Sequence, residues 1–494
     1  MMRTIPYLSV GAATFAAFTG LLAWLALHGF VSAESLELTG KGIAARDGAM
    51  TLREFALIFP PLPNLASLAI QWGVSPAIPA PAIASAAIVG TLAVLWIRSF
   101  VQAGYAWSTA IFMATALICG PAFLSLACEG PSAPMLALGA WLMGSTAFRL
   151  RARANIVDLM GFSASLAYLA LCHPFAAFIV LGFAPFIVLV LPPQVTSDSM
   201  IGGYLAVLFP VALVLGGAAY VSWIFTLDPL GLFRLLSARS GDLGFDGLSG
   251  GDMSYVRSGP LAAWPAYALL VLLNAPVLLG GLRLMRRRLP RAMPLVALIA
   301  AVPLGGMLAD VLGFSFPMLL MVAPLTGFAA AAVAVLPLEE QRPILVLLLV
   351  AAGALGSAAT LRLAPDAETP QWVAAMAGRQ VETIAIAEHD LGAALRGRND
   401  VLIDALSSPG ILAGRASARG LVVPLSAGFE MTRLSRRPAT RYIAVSSADS
   451  YRRERDAVHA IFPTLYASGL PGYARIYDHL GWRVYERLQL ADGG

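Results

Sequence analysis

Three carboxylates, Glu34, Glu37 and Asp47, stand in the stretch "AESLELTGKGIAARDG" of residues 33 to 48, in a chain of which only 12% of residues are charged. Acids gathered this way can take a proton from an attacking hydroxyl or supply oxygen ligands to a hard cation. Glu34 and Glu37 are three residues apart, which places them on one face if the stretch is helical. Asp47, in "RDG", is either a rival base or the solvated acid of a turn. Glu129, in "CEGPSAPMLALGAWLM", is either a second active-site carboxylate, orienting an acceptor or a metal, or an interfacial helix cap. His173, in "LCHPF", either touches phosphate or acceptor, or is structural. Arg234, Arg239 and Arg257 are either bidentate phosphate donors or loop cations facing water and headgroups.

The elements that must position these groups are membrane helices. Of 494 residues 58% are hydrophobic, and the charged share is about half the quarter usual in soluble domains. With about 20 apolar residues needed per span, about eleven runs qualify. They lie near 6–31, 80–97, 106–127, 132–148, 156–171, 175–192, 200–225, 260–281, 292–311, 315–337 and 343–362. The first is too long for a signal-peptide core and lacks a small-residue cleavage site, so it reads as a span. Arg149, Arg151 and Arg153, and the run from Arg283 to Arg291, follow the fourth and eighth runs, which makes that side cytoplasmic. The N-terminus is then inside. Loop 33–79, the turns at Glu129 and His173, loop 226–259 and everything after about 363 fall outside, in the periplasm or its equivalent. The net charge of +5 suits anionic membrane lipids and calls for no nucleic acid. The three cysteines, Cys119, Cys128 and Cys172, lie in or beside spans and read as small packing residues.

Residues 364–494 have a different texture. "VETIAIAEH", "DVLIDAL", "GLVVPL", "RYIAVSS", "ARIYDHL" and "WRVYERL" read as strands. "PDAETPQWVAAMAGRQ", with Thr369 and Pro370 at its start, and "SYRRERDAVHAIFPTLYASG" read as helices. The expectation is a transmembrane domain over 1–363 and a soluble periplasmic α/β domain over 364–494, without a nucleotide fingerprint. Segment 50–73 is apolar but interrupted by Pro60, Pro61 and Pro63, and reads as two short amphipathic helices in the membrane interface.

An acid pair after the first span, the glycine-punctuated "GKGIAARDG" and the Pro-Pro-Leu element of "IFPPLPN" resemble the first external loop of GT-C glycosyltransferases. "ACEGPSAPMLALGAWL" resembles the family's short acidic second turn, and "GFSASLAYLALCHPFAAFIVLG" its Gly-rich span, Pro turn and returning span. The resemblance implies a polytopic α-helical fold of about 11 transmembrane helices with a C-terminal periplasmic domain. It also implies an inverting enzyme that takes a sugar from a polyprenyl-phosphate donor to a glycan, lipid or protein acceptor on the external face. The family's base, an Asp or Glu just beyond the first span, corresponds to Glu34, nearest the membrane, or to Glu37. This chain departs from the common contiguous Asp-Asp or Asp-Glu, separating its acids by two residues. Some members use a divalent cation. Glu34, Glu37 and Glu129 offer oxygen ligands for magnesium or manganese if the first two external loops meet. Two other classes remain: a transporter or flippase, which calls for ionisable or broken-helix features in mid-span, and a non-catalytic assembly subunit of an envelope polysaccharide machine. Asp158 and Asp310 are the ionisable groups near span ends.

Overall fold

The computed structural model describes the chain apart from residues 1–4, 49–60, 75–78, 230–259, 285–288, 313–317, 337–342, 364–365, 367, 382–383, 406–407, 425, 448–455 and 489–494. The chain folds as two compact units. One comprises Met1–Trp24, Ala56–Pro63 and Ala82–Met376; the other comprises Leu25–Phe55, Asn64–Pro81 and Ala377–Gly494. The α/β unit therefore draws in residues from the segment that follows the first apolar helix, and residues up to 376 of the expected tail belong with the helices.

In chain order the helices are α1 (Ile5–Leu27), α2 (Ala33–Arg46), α3 (Pro61–Gly73), α4 (Ala80–Gln102), α5 (Trp107–Ile118), α6 (Pro121–Glu129), α7 (Ser132–Arg153) and α8 (Ile156–Cys172). Next come α9 (Pro174–Phe183), α10 (Pro193–Thr226), α11 (Pro260–Asn274), α12 (Pro276–Leu284), α13 (Leu289–Val311), α14 (Val322–Val333), α15 (Pro343–Leu363) and α16 (Thr369–Met376). The protein is a membrane protein. Among the described residues five helices are long and apolar enough to cross a bilayer, and seven when each of two bent pairs counts as one span. Helix α10 turns Ile201, Leu205, Phe209 and Leu213 outward, as a helix facing lipid does.

Two of the apolar runs are broken, a feature their smooth hydropathy hides. Helices α5 and α6 meet at 64°, and α11 and α12 at 83°. Pro121 and Pro276 each open the second member of a pair; proline lacks the N–H that would continue the preceding helix and disfavours helical geometry in the residue before it. Helix α15 braces both breaks with one face. Its Ser357 Oγ accepts from the Ala122 N–H at 2.8 Å, and its Thr360 Oγ1 accepts from Asn274 Nδ2 at 2.7 Å. Gly356 and Gly353 on the same face lie against the carbonyls of Leu273 and Asn274, so closely that a methyl group at 356 would collide with the Leu273 oxygen. Elsewhere Gly327 of α14 rests on the Ala137 carbonyl of α7. Such close backbone approach is how helices associate where lipid removes the hydrophobic drive.

The second unit is built on a five-stranded sheet. After α17 (Ile384–Ala394) come β1 (Val401–Leu402), α18 (Gly410–Arg415), β2 (Leu421–Val422), α19 (Ala427–Ser435) and β3 (Tyr442–Ser446). The chain then forms α20 (Ala457–Ile461), α21 (Leu465–Ser468), β4 (Tyr473–His479) and β5 (Trp482–Arg487). Strand order is β2-β1-β3-β5-β4, with β2, β1 and β3 parallel and β5 antiparallel to both β3 and β4. Alternate residues of β1 and its continuation serve opposite faces: Val401 and Ile403 join Leu391, Leu395, Ile411 and Trp482, whereas Leu402 joins Phe429, Val458, Phe462 and Tyr485. Ile43 and Ala44 of α2 belong to the first of these cores.

Five of the six expected strands form. "VETIAIAEH" instead leads into α17. Its Ile-Ala alternation mimics a strand, but Ala387, Leu391 and Leu395 are buried at four-residue spacing, the period of an Ala-rich helix. In the second expected helix, 448–455 lie outside the described residues, and Pro463 splits the remainder into α20 and α21. Thr369 opens α16, and Asp366 supplies the capping oxygen, its Oδ1 accepting from the Thr369 N–H at 2.7 Å. The prolines of 60–63 do not divide the described part of their segment. Pro61 opens α3, and Pro63 falls in its first turn, where no donor is lost.

Candidate functional site

Helix α2 carries the three candidate acids of the first loop. Ser32 caps it, its Oγ accepting from the Ser35 N–H at 3.1 Å, and Glu34 in the first turn complements the positive end of the helix dipole. Leu36, Leu38, Thr39, Gly40, Gly42, Ile43 and Ala44 are buried. Gly40 seats the helix on the Pro409 carbonyl of the α/β unit. Glu34 and Glu37 stay off that buried stripe and are half-buried. Glu37 Oε1 lies 2.6 Å from Lys41 Nζ, one helical turn on. A packed helix thus presents two carboxylates, one of them paired with an ammonium.

Asp47 is differently placed. It caps the C-terminus of α2, and its Oδ2 accepts from Ser417 Oγ and from the Ala418 N–H, each at 2.8 Å. Arg46 Nε lies 3.5 Å from Oδ1. Burial pushes its carboxyl up, but the two hydrogen bonds and the neighbouring Arg46 and Arg419 outweigh it, holding the group below the usual carboxylate range. A carboxylate so engaged is a weak proton acceptor and a strong structural tie. Its neighbour Arg415 is buried and donates to the carbonyls of Leu395, Ser417 and Arg398.

Glu129 and His173 belong to the helical unit, whereas Glu34, Glu37 and Asp47 belong to the α/β unit. Glu129 ends α6, half-buried, before Gly130 and Pro131. His173 caps α9, its Nδ1 accepting from the Phe175 N–H at 3.1 Å, so a neutral ring carries its proton on Nε2. Arg234, Arg239 and Arg257 lie outside the described residues. Among the described residues no three His, Cys, Asp or Glu side chains gather as a metal site.

The structure adds Asp404 and Asp456, which sequence reasoning did not single out, and gives Asp310 and Asp158 their partners. At the carboxyl ends of β1 and β3, where the strand order reverses direction, Asp404 Oδ2 accepts from the Ala457 N–H at 2.9 Å. Asp456 Oδ2 accepts from the Ser446 N–H and hydroxyl, and both acids are buried. The crevice at such a switch point is where open α/β sheets bind ligands, but these carboxylates are occupied in fixing loops. In the helical unit Tyr267 donates to Asp310 Oδ2 at 2.6 Å, and Arg149 lies 3.3 Å from the buried Asp158. No spacing in the sequence brings 404 to 457 or 267 to 310. Compared with known proteins, the chain matches no protein-family model, and a search of curated proteins finds none that matches it.

Proposed function

We propose that the protein is a glycosyltransferase of GT-C type in a bacterial inner membrane. It transfers a sugar from a polyprenyl-phosphate donor to an envelope glycan, lipid or protein on the external face. In this reading the chain crosses the membrane about eleven times, its N-terminus is cytoplasmic, and the α/β unit is periplasmic. The observation that supports it is the placement of Glu34 in the capped first turn of α2, a helix that begins at Ala33, soon after the first apolar helix ends at Leu27. In this reading the helix would hold a carboxylate close to the depth of a lipid-borne phosphate.

Glu34 is the base: it takes the proton of the acceptor hydroxyl as that oxygen attacks the anomeric carbon and the polyprenyl phosphate departs with the bonding electrons. Direct displacement inverts the anomeric centre. Glu37, paired with Lys41, orients the acceptor, and Arg234, Arg239 or Arg257 neutralises the leaving phosphate. Asp47, engaged by its two hydrogen bonds, serves as a tie and not as the base. Glu129 is the second carboxylate of the reading, and a magnesium or manganese ion is an optional participant.

The test is sugar transfer by the purified protein in lipid from a mixed pool of polyprenyl-phosphate sugars. Wild type is expected to turn over and folded Glu34→Gln to be inactive. Turnover retained by Glu34→Gln would remove the assigned base, and no turnover with any donor would remove the enzyme.

One observation favours a second reading. Two broken helices braced by one partner are a pattern of transporters, whose discontinuous spans expose backbone polar groups at membrane depth. Flux of a lipid-linked sugar across sealed vesicles, without transfer, would favour it.

A further inference from the structure

Helix α3 is amphipathic in the opposite sense to a helix of a water-soluble domain. Asn64, Ser67 and Gln71, at i, i+3 and i+7, are turned into the protein, with Ser67 and Gln71 each 1% exposed. Leu65, 52% exposed, and Trp72, 69% exposed, face outward with Ala69 between them. The thirteen residues contain no charge. Gly42 of α2 gives Gln71 its place: a methyl group there would collide with the Gln71 amide oxygen. Ser67 Oγ and both polar atoms of Gln71 are buried without a hydrogen-bond partner among the described residues, and burying such groups is unfavourable. Turning the helix over would release them to water. An uncharged outward side of Leu65, Ala69 and Trp72 fits a lipid surface better than water.

We propose that the Leu65–Ala69–Trp72 face of α3 is a membrane-docking surface that lies in the lipid headgroup and acyl boundary. The occupant is set by the chain itself. Gly73 ends α3 and Ala80 begins α4, a helix long and apolar enough to span, so the two ends are at most about 25 Å apart. Helices of this length bury an apolar face about 5–10 Å into that boundary, and a Trp at the edge of the face is the usual anchor at that depth. Because Gln71 packs on Gly42, the docked helix also fixes the depth of α2. Such docking holds whether or not the protein transfers sugars.

The test places nitroxide spin labels singly at 65, 69 and 72, through Cys substitutions made in a Cys119→Ser background, in the full chain. The protein is reconstituted into vesicles of phosphatidylcholine and phosphatidylglycerol. Collision with oxygen, which concentrates in lipid, is compared with collision with a water-soluble nickel chelate, and a label at the exposed Arg419 position serves as the aqueous reference. The oxygen-to-nickel ratio is expected to be severalfold higher at all three positions than at 419. A ratio equal to that at 419 places the face in water, and low collision with both agents places it under protein, such as a second copy; either overturns the proposal. Should a Cys variant fail to fold, the native Trp72 reports the same depth. Its quenching by lipids brominated along the acyl chain, taken as the difference from Trp72→Phe, is expected to be strong, and no quenching overturns the proposal.

Discussion

Asp47 and Ser417, 370 residues apart in sequence, meet through a 2.8 Å hydrogen bond from the Ser417 hydroxyl to Asp47 Oδ2, and the Ala418 N–H donates to the same oxygen. This pair closes the end of the acid-bearing helix onto the α/β unit. Replacing Asp47 by Ala leaves a backbone donor and a hydroxyl without an acceptor. The expected loss is about 1–3 kcal/mol of stability, read as a lower thermal midpoint for the α/β unit in detergent. Sugar transfer by Asp47→Asn, normalised to folded protein, is expected to stay within severalfold of wild type.

The same tie sets a pH dependence. The folded carboxyl sits below its ordinary value of 3.8, so the unfolded chain binds the proton more tightly. The stabilisation is fully present above that ordinary value and is lost as pH falls through the lower folded one. Acid unfolding of wild type is expected to be steeper below roughly pH 4 than that of Asp47→Asn. Equal steepness in the two proteins would show that the carboxylate is not preferentially ionised in the fold.

Lys41 separates structure from chemistry. An ion pair between neighbouring turns of a partly exposed helix contributes about 0.5 kcal/mol or less, so Lys41→Ala should barely move the thermal midpoint. If Glu37 orients the acceptor, the same substitution is expected to raise KM severalfold with kcat little changed. A fall in kcat alone would point to a direct role of the ammonium in the reaction.

The brace on the broken helices is open to substitution from one side. Ser357→Ala removes the acceptor for the Ala122 N–H and is expected to cost about 1 kcal/mol. Gly356→Ala drives a methyl group into the Leu273 carbonyl, an overpacking expected to cost about 1–3 kcal/mol. Both are measured by thermal unfolding in lipid nanodiscs. Gly216→Ala on α10, where a methyl group would meet nothing, is the control and should leave the midpoint unchanged or slightly raised.

What the sequence reveals depends on range. Apolar runs located helices, of which five, or seven with the two bent pairs, are long and apolar enough to span among the described residues, and β1 to β5 were legible from Val, Ile and Tyr between turn residues. The breaks at Pro121 and Pro276 were visible as prolines, but the hydropathy running through them concealed that the helix axis turns. Glu34 and Glu37 stood out as acids next to a span. Asp47 looked like their equal, and its commitment to Ser417 and Ala418 could not be read, since nothing local pairs residue 47 with residue 417. The inward turn of Asn64, Ser67 and Gln71 on α3 was not legible for a related reason: Gly42, against which Gln71 packs, belongs to another helix.

The joining of α2 to strands more than 350 residues downstream orders events during biosynthesis. A ribosome adding about 5–20 residues per second needs about 20–70 s to travel from Asp47 to Ser417. For that interval Leu36, Leu38, Ile43 and Ala44 have emerged without the core that will cover them. The helix is made long before the strands whose core will cover Ile43 and Ala44. A nascent chain truncated ahead of residue 400 therefore carries an uncovered apolar stripe next to its first membrane helix, a mark by which quality-control proteases could tell unfinished copies from finished ones.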